Sequence, residues 1–133
     1  MAKYLICYGV TLLTLLVIDG IWLGVVAKNL YQEALAYHMA ERINLVAAAA
    51  FYLLYPAGVV YLAGMPGLES GEWQDALLRG AVLGLVAYGT YDLTNLATFK
   101  SFPMHIALID MVWGAVLTGV AASAGVLIAK NMN

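Results

Sequence analysis

Charge is the scarcest property of this sequence. Six Lys and Arg and eight Asp and Glu make up 11% of 133 residues, where a soluble domain carries about 25%. Apolar residues make up 64%. A soluble protein with so apolar a surface would aggregate; lipid is the solvent that tolerates it. With six basic residues and a net charge of -2, the chain has no footprint for nucleic acid. One cysteine, Cys7, excludes an intrachain disulfide and leaves the redox compartment open. Ser–His–Asp spacing, phosphate loops and zinc-ligand spacing are missing. His38 and His105 stand near span ends, as interfacial histidines rather than metal ligands. The expectation is therefore no metal and no cofactor.

What is present is long apolar runs. About 20 apolar residues cross the hydrocarbon of a bilayer as a helix, and four runs meet that length. The spacing predicts spans over about 4–26, 43–63, 77–99 and 104–129. The first outlasts the roughly 7–15 apolar residues of a signal peptide, so it reads as a retained span. Only helices and closed barrels satisfy their backbone in lipid, and these runs are too long for barrel strands. The fold class is all-α: an integral membrane four-helix bundle, with residues 1–133 as a single transmembrane domain. Between spans, Asn29 to Arg42 is amphipathic and fits a short interfacial helix or a solvated loop. Pro56 predicts a kink in the second span. Gly64 to Gly71, with Pro66 inside it, reads as a loop, with Ser70 or Gly71 capping the next helix. Tyr4, Trp73 and Phe102 fit an aromatic belt. Both chain ends fall on one side. Lys3, Arg79 and Lys130 share that side and Lys28, Arg42 and Lys100 the other, so the positive-inside rule has nothing to act on; the free amino terminus favours a cytoplasmic placement.

Charged groups inside spans cost about 2.5–3.5 kcal/mol each on insertion scales, yet Asp19, Asp92 and Asp110 lie inside three of them. They sit off the span midpoints by roughly 6, 6 and 9 Å at 1.5 Å per residue. With alternating span directions all three fall in the same leaflet. Tyr88, Tyr91, Asp92, Asn95 and Thr98 follow helical spacing and form a stripe that continues back through Gly84 and Gly80. Asp19 and Trp22, and Asp110 and Trp113, repeat one Asp-x-x-Trp spacing, in which an indole N–H can donate to a carboxylate. Asp19, Trp22, Tyr88, Tyr91, Asp92, Asn95, Asp110 and Trp113 are the candidate binding or proton-handling residues. Without a cation, a proton or water, three buried carboxylates do not all ionise. The competing reading is that these groups only hold helices together, which Lys28 or Lys100 snorkelling toward them would favour. Gly20-x-x-x-Gly24, Gly80-x-x-x-Gly84 and Ala115-x-x-x-Gly119 permit close helix packing within the bundle, or between two copies in a homodimer.

Phe51 to Tyr55, Gly80 to Gly89 and the block Thr90-Tyr91-Asp92-Leu93-Thr94-Asn95-Leu96-Ala97-Thr98, with the two Asp-x-x-Trp elements, cover nearly the whole chain. This pattern resembles a bacterial family of small predicted membrane proteins of unknown function. Where members usually carry tryptophan after the turn lysine, this chain has Ser101-Phe102. The resemblance implies a multi-pass protein of the bacterial inner (cytoplasmic) membrane. Members are often encoded near enzymes that modify membrane fatty acids, which hints at membrane lipid as a partner. Three functions follow as expectations. The first is an unassigned membrane activity built on an intramembrane acidic site, such as proton- or cation-coupled binding or transport. The second is an enzyme, or accessory subunit, acting on membrane lipid. The third is a structural or assembly protein without chemistry. Access discriminates them: a transporter's site is reached from both sides, a lipid enzyme's opens to the bilayer, and glue needs neither.

Overall fold

A computed structural model of the chain describes residues 2–26 and 44–132. The described residues are helical with two short connections. Helix α1 is Ala2–Ile21, extended by a π turn, Trp22–Val26. Helix α2 spans Leu45–Ser70, helix α3 Trp73–Thr98 and helix α4 Met104–Asn131. The amphipathic segment, with Lys28, His38 and Arg42, lies outside the described residues.

Three of the four helices, α1, α2 and α4, are long and apolar enough to cross a membrane. Helix α3 has 26 residues, about 39 Å at 1.5 Å per residue, so it has the length. What lowers its apolar character is Gln74, Asp75 and Arg79 at one end and the Thr90 to Thr98 block at the other.

Neighbouring helices alternate in direction. Cys7 of α1 meets Gly64 of α2, while Asp19 meets Tyr52. Thr11 of α1 donates to Ala121 O of α4 at 3.5 Å. Glycine sets the tightest seam. On α3, a Cβ at Gly80 would come within 2.8 Å of Thr118 O. At Gly84 it would collide with the backbone of Gly114. Without side chains in between, α3 and α4 pack almost backbone to backbone, as small residues permit in lipid. Among the described residues of this chain nothing approaches Gly20 or Gly24: a Cβ at either meets nothing within 4 Å.

The second helix corrects the expected span and loop. Residues 64–71 do not form a loop; the helix runs on to Ser70 through a π turn at Val60–Gly64. Pro66 is tolerated because it sits in the first turn after the π segment, where its missing N–H costs no regular helical bond. Gly67 is there for close approach, not for turning: a Cβ would fall 2.8 Å from Ala76 Cβ and 2.9 Å from Val126 Cγ2. The turn is left to Gly71, whose φ of 77° is left-handed. Its N–H closes on Gly67 O at 2.9 Å, and its carbonyl takes a bond from Lys130 Nζ at 2.5 Å. Neither Ser70 nor Gly71 caps the next helix; the N-cap is Glu72, in extended conformation without a side-chain bond. A side chain at a left-handed position costs about 1–2 kcal/mol. Gly71→Ala is therefore expected to destabilise the protein by that amount in a detergent unfolding titration. No change in midpoint would contradict the left-handed turn.

Pro56 and the π turn bracket a change of partner. The first part of α2, Leu45–Val59, packs on α1; from Val60 onward the helix packs on α3 and α4 as well. Proline and π bulges are the usual causes of helix redirection, and both occur here. The packed core fills the end of the bundle where α2 touches all its neighbours: Cys7, Val59, Val60, Ala63, Ala76, Ala122, Val126 and Ala129.

Candidate functional site

At the opposite end of the bundle the interior turns polar. The carboxyls of Asp19, Asp92 and Asp110 share this end but divide into two arrangements. Asp19, 6% exposed, is fully engaged. Its Oδ1 accepts the indole N–H of Trp113 at 3.0 Å, and its Oδ2 accepts a short bond from the Tyr52 hydroxyl. Trp22 stacks on Trp113, with ring centroids 4.4 Å apart and planes 11° from parallel. The two Asp-x-x-Trp elements thus interlock crosswise. Trp113 donates not to Asp110 on its own helix but to Asp19 across the interface. Three residues along a helix place two side chains on one face, where both point outward toward the neighbouring helix.

Asp92 is in the contrary situation. It is 1% exposed, and neither carboxyl oxygen meets a hydrogen-bond donor among the described residues. Its neighbour is another acid: the Asp110 carboxyl lies within hydrogen-bonding reach. Two carboxylates have acceptors only, so a bond between them requires a proton on one. Tyr88 stands between the two arrangements, within electrostatic reach of Asp19, Asp110, Tyr52 and Tyr55. Its ring lies over Gly114, where a Cβ would clash with it. Tyr55 shares a 2.7 Å bond with the Thr118 hydroxyl and meets Tyr88 edge-on at 6.3 Å.

The expected stripe on α3 therefore splits. Tyr88 and Asp92 face inward, in line with Gly84 and Gly80. Tyr91 is 60% exposed, against Phe102. Thr98 is exposed and donates to Thr94 O of its own helix. Asn95 is half-buried, and its carbonyl accepts the N–H of Phe99. Phe102 is buried beside Tyr91 and Phe99. Sequence reasoning missed Tyr52 and Tyr55. The available signal was their three-residue spacing in an otherwise aliphatic run, which puts two hydroxyls on one inward face.

Between α2 and α3, where α2 has left its neighbour, two adjoining cavities open on the flank of the bundle. One of about 280 Å³ is lined by Phe51, Leu54, Tyr55, Gly58 and Leu83. The other, of about 290 Å³, shares Phe51 and Tyr55 and continues past Ala87, Tyr88 and Tyr91 to Asp110. The cleft is thus apolar and aromatic along its length and acidic at its inner end. Among the described residues no group of three His, Cys, Asp or Glu side chains is placed to hold a metal ion.

The fold and this end of it define an all-α membrane protein with carboxyl groups buried between its helices. The chain belongs to the family described as predicted membrane protein (DUF2177), whose model matches residues 4–127. No curated protein and no solved structure matches it.

Proposed function

We propose that the protein is a four-span bundle of the bacterial inner membrane whose Asp92–Asp110 pair binds a cation in exchange for a proton. The observation that carries this reading is the state of Asp92: buried, without a donor, and facing a second carboxyl. A carboxyl buried in this way is either neutralised by a proton or balanced by a cation or an equivalent partner. The same reasoning separates Asp19 from the reactive pair. With a phenol and an indole donating to it, Asp19 holds α1, α2 and α4 together. The fourth crossing is supported by the antiparallel seam from Gly80 to Gly89, along which α3 follows α4. The inner membrane is supported by the helices themselves, since bacterial outer-membrane spans are barrel strands. Binding is supported over passage. Beyond the acids the interior is closed by Leu15, Leu117 and Ala121 and then by the close α3–α4 seam.

If a cation and a proton compete for this pair, binding weakens as pH falls. Among the described residues Tyr88 on α3 is within electrostatic reach of Asp110, and of Asp19 on α1 and Tyr52 and Tyr55 on α2 as well. Infrared spectroscopy of the purified protein is expected to show a protonated carboxyl band at neutral pH that is lost in Asp92→Asn. A spectrum with every intramembrane carboxyl ionised would leave the cluster as structural glue.

A further inference from the structure

Resting on the Asp92–Asp110 reading, we infer that the cleft between α2 and α3 takes an amphiphilic cation from the surrounding leaflet, its ammonium-type head at Asp110 and its aliphatic tail along Leu54, Gly58 and Leu83. Three observations meet here. The cleft opens on the side of the helices rather than at their ends, and its rim is exposed: Leu54 is 74% and Tyr91 60% accessible. A ligand enters by this route from lipid, so it needs an apolar body. The walls supply aromatic rings from Phe51, Tyr55, Tyr88 and Tyr91. Aromatic faces attract alkylammonium groups, and quaternary ammonium most recognisably. The inner end supplies negative charge. Asp110 forms part of the wall, and Asp92 behind it has two buried oxygens without a donor. Among the described residues no Lys, Arg or His lines either cavity. A phosphate or carboxylate head would meet like charge at that point. Together the volumes fall within the roughly 300–1,000 Å³ of small-molecule sites.

Gly58 provides a test that leaves the acids alone. It lines the cleft, and a Cβ there meets nothing within 4 Å, so Gly58→Phe directs a ring into the cleft from an unobstructed Cβ. The full-length protein is reconstituted in discs of zwitterionic lipid and titrated with radiolabelled dodecyltrimethylammonium by scintillation proximity, against protein-free discs. Saturable binding is expected. It should be displaced at least tenfold less effectively by tetramethylammonium, which lacks the tail, and by dodecyl maltoside, which lacks the charge. Gly58→Phe and Asp110→Asn should each weaken binding at least tenfold. Gly58→Phe should retain the protonated carboxyl band. Equal displacement by dodecyl maltoside would overturn the charged head, and equal displacement by tetramethylammonium would overturn the tail groove. Unchanged binding in either variant, or no saturable binding while the carboxyl band persists, would overturn the cleft as the site and leave the proton-holding pair standing. Loss of the band in the wild-type protein would remove the pair itself.

Discussion

Gly84→Leu is expected to lower the unfolding midpoint in detergent far more than Gly20→Leu, and to prevent folding if the seam cannot part. Even a methyl group at Gly84 would strike the Gly114 carbonyl and come within 2.7 Å of Thr118 Oγ1. The obstacle is mostly backbone, which cannot rotate away as a side chain does. Overpacking a core that can adjust costs about 1–3 kcal/mol; a seam without adjustable atoms sits at or above the top of that range. Separation of α3 from α4 would also loosen Gly80 and carry Asp92 away from Asp110. Gly20, with open space around it, is the control for adding leucine to a membrane helix. Unfolding followed by tryptophan fluorescence during SDS titration gives the comparison. Equal midpoints would mean that the two helices do not approach as closely as described.

Asp19→Leu should produce the second large loss. Two donors, Tyr52 OH and Trp113 Nε1, converge on this one carboxyl, and leucine leaves both without an acceptor. A buried donor deprived of its partner costs about 1–3 kcal/mol, so the variant should lose roughly 2–4 kcal/mol, allowing for relaxation. Asp19→Asn keeps one carbonyl oxygen and should lose less. The decisive measurement is a double-mutant cycle. Tyr52→Phe should destabilise the wild-type protein but add little to Asp19→Leu, because the bond is already gone. Full additivity of the two losses would show that the hydroxyl and the carboxyl are not coupled.

Much of this architecture is legible in the sequence for a simple reason: lipid permits few structures, so long apolar runs announce helices. The shared depth of Asp19, Asp92 and Asp110 also follows from run lengths and alternating direction. What could not be read was partnership. Sequence spacing places Asp110 and Trp113 on one face, but it takes the neighbouring helix to show that Trp113 bonds Asp19. Tyr52 looks like any aromatic residue until α1 is laid beside it. The segment from Gly64 to Gly71 misled because glycine has two uses. At Gly71 it supplies a left-handed turn, whereas at Gly67 it lets Ala76 and Val126 come close. Both glycines appear identical in a string of letters, and a proline beside one of them reinforced the wrong use.

The first half of α2 is fastened differently from the rest. Tyr8 donates to Leu53 O at 2.8 Å, Tyr52 to Asp19, and Tyr55 shares its bond with Thr118. Three phenol groups therefore fasten a stretch of helix that otherwise exchanges contacts with lipid at little cost, since lipid tails are as apolar as the side chains they replace. Hydrogen bonds across membrane helices average about 0.6 kcal/mol, so three hold this stretch by about 2 kcal/mol. The wall of the cleft is thus held mainly by hydroxyl bonds, and the α3–α4 seam by backbone contact at glycine.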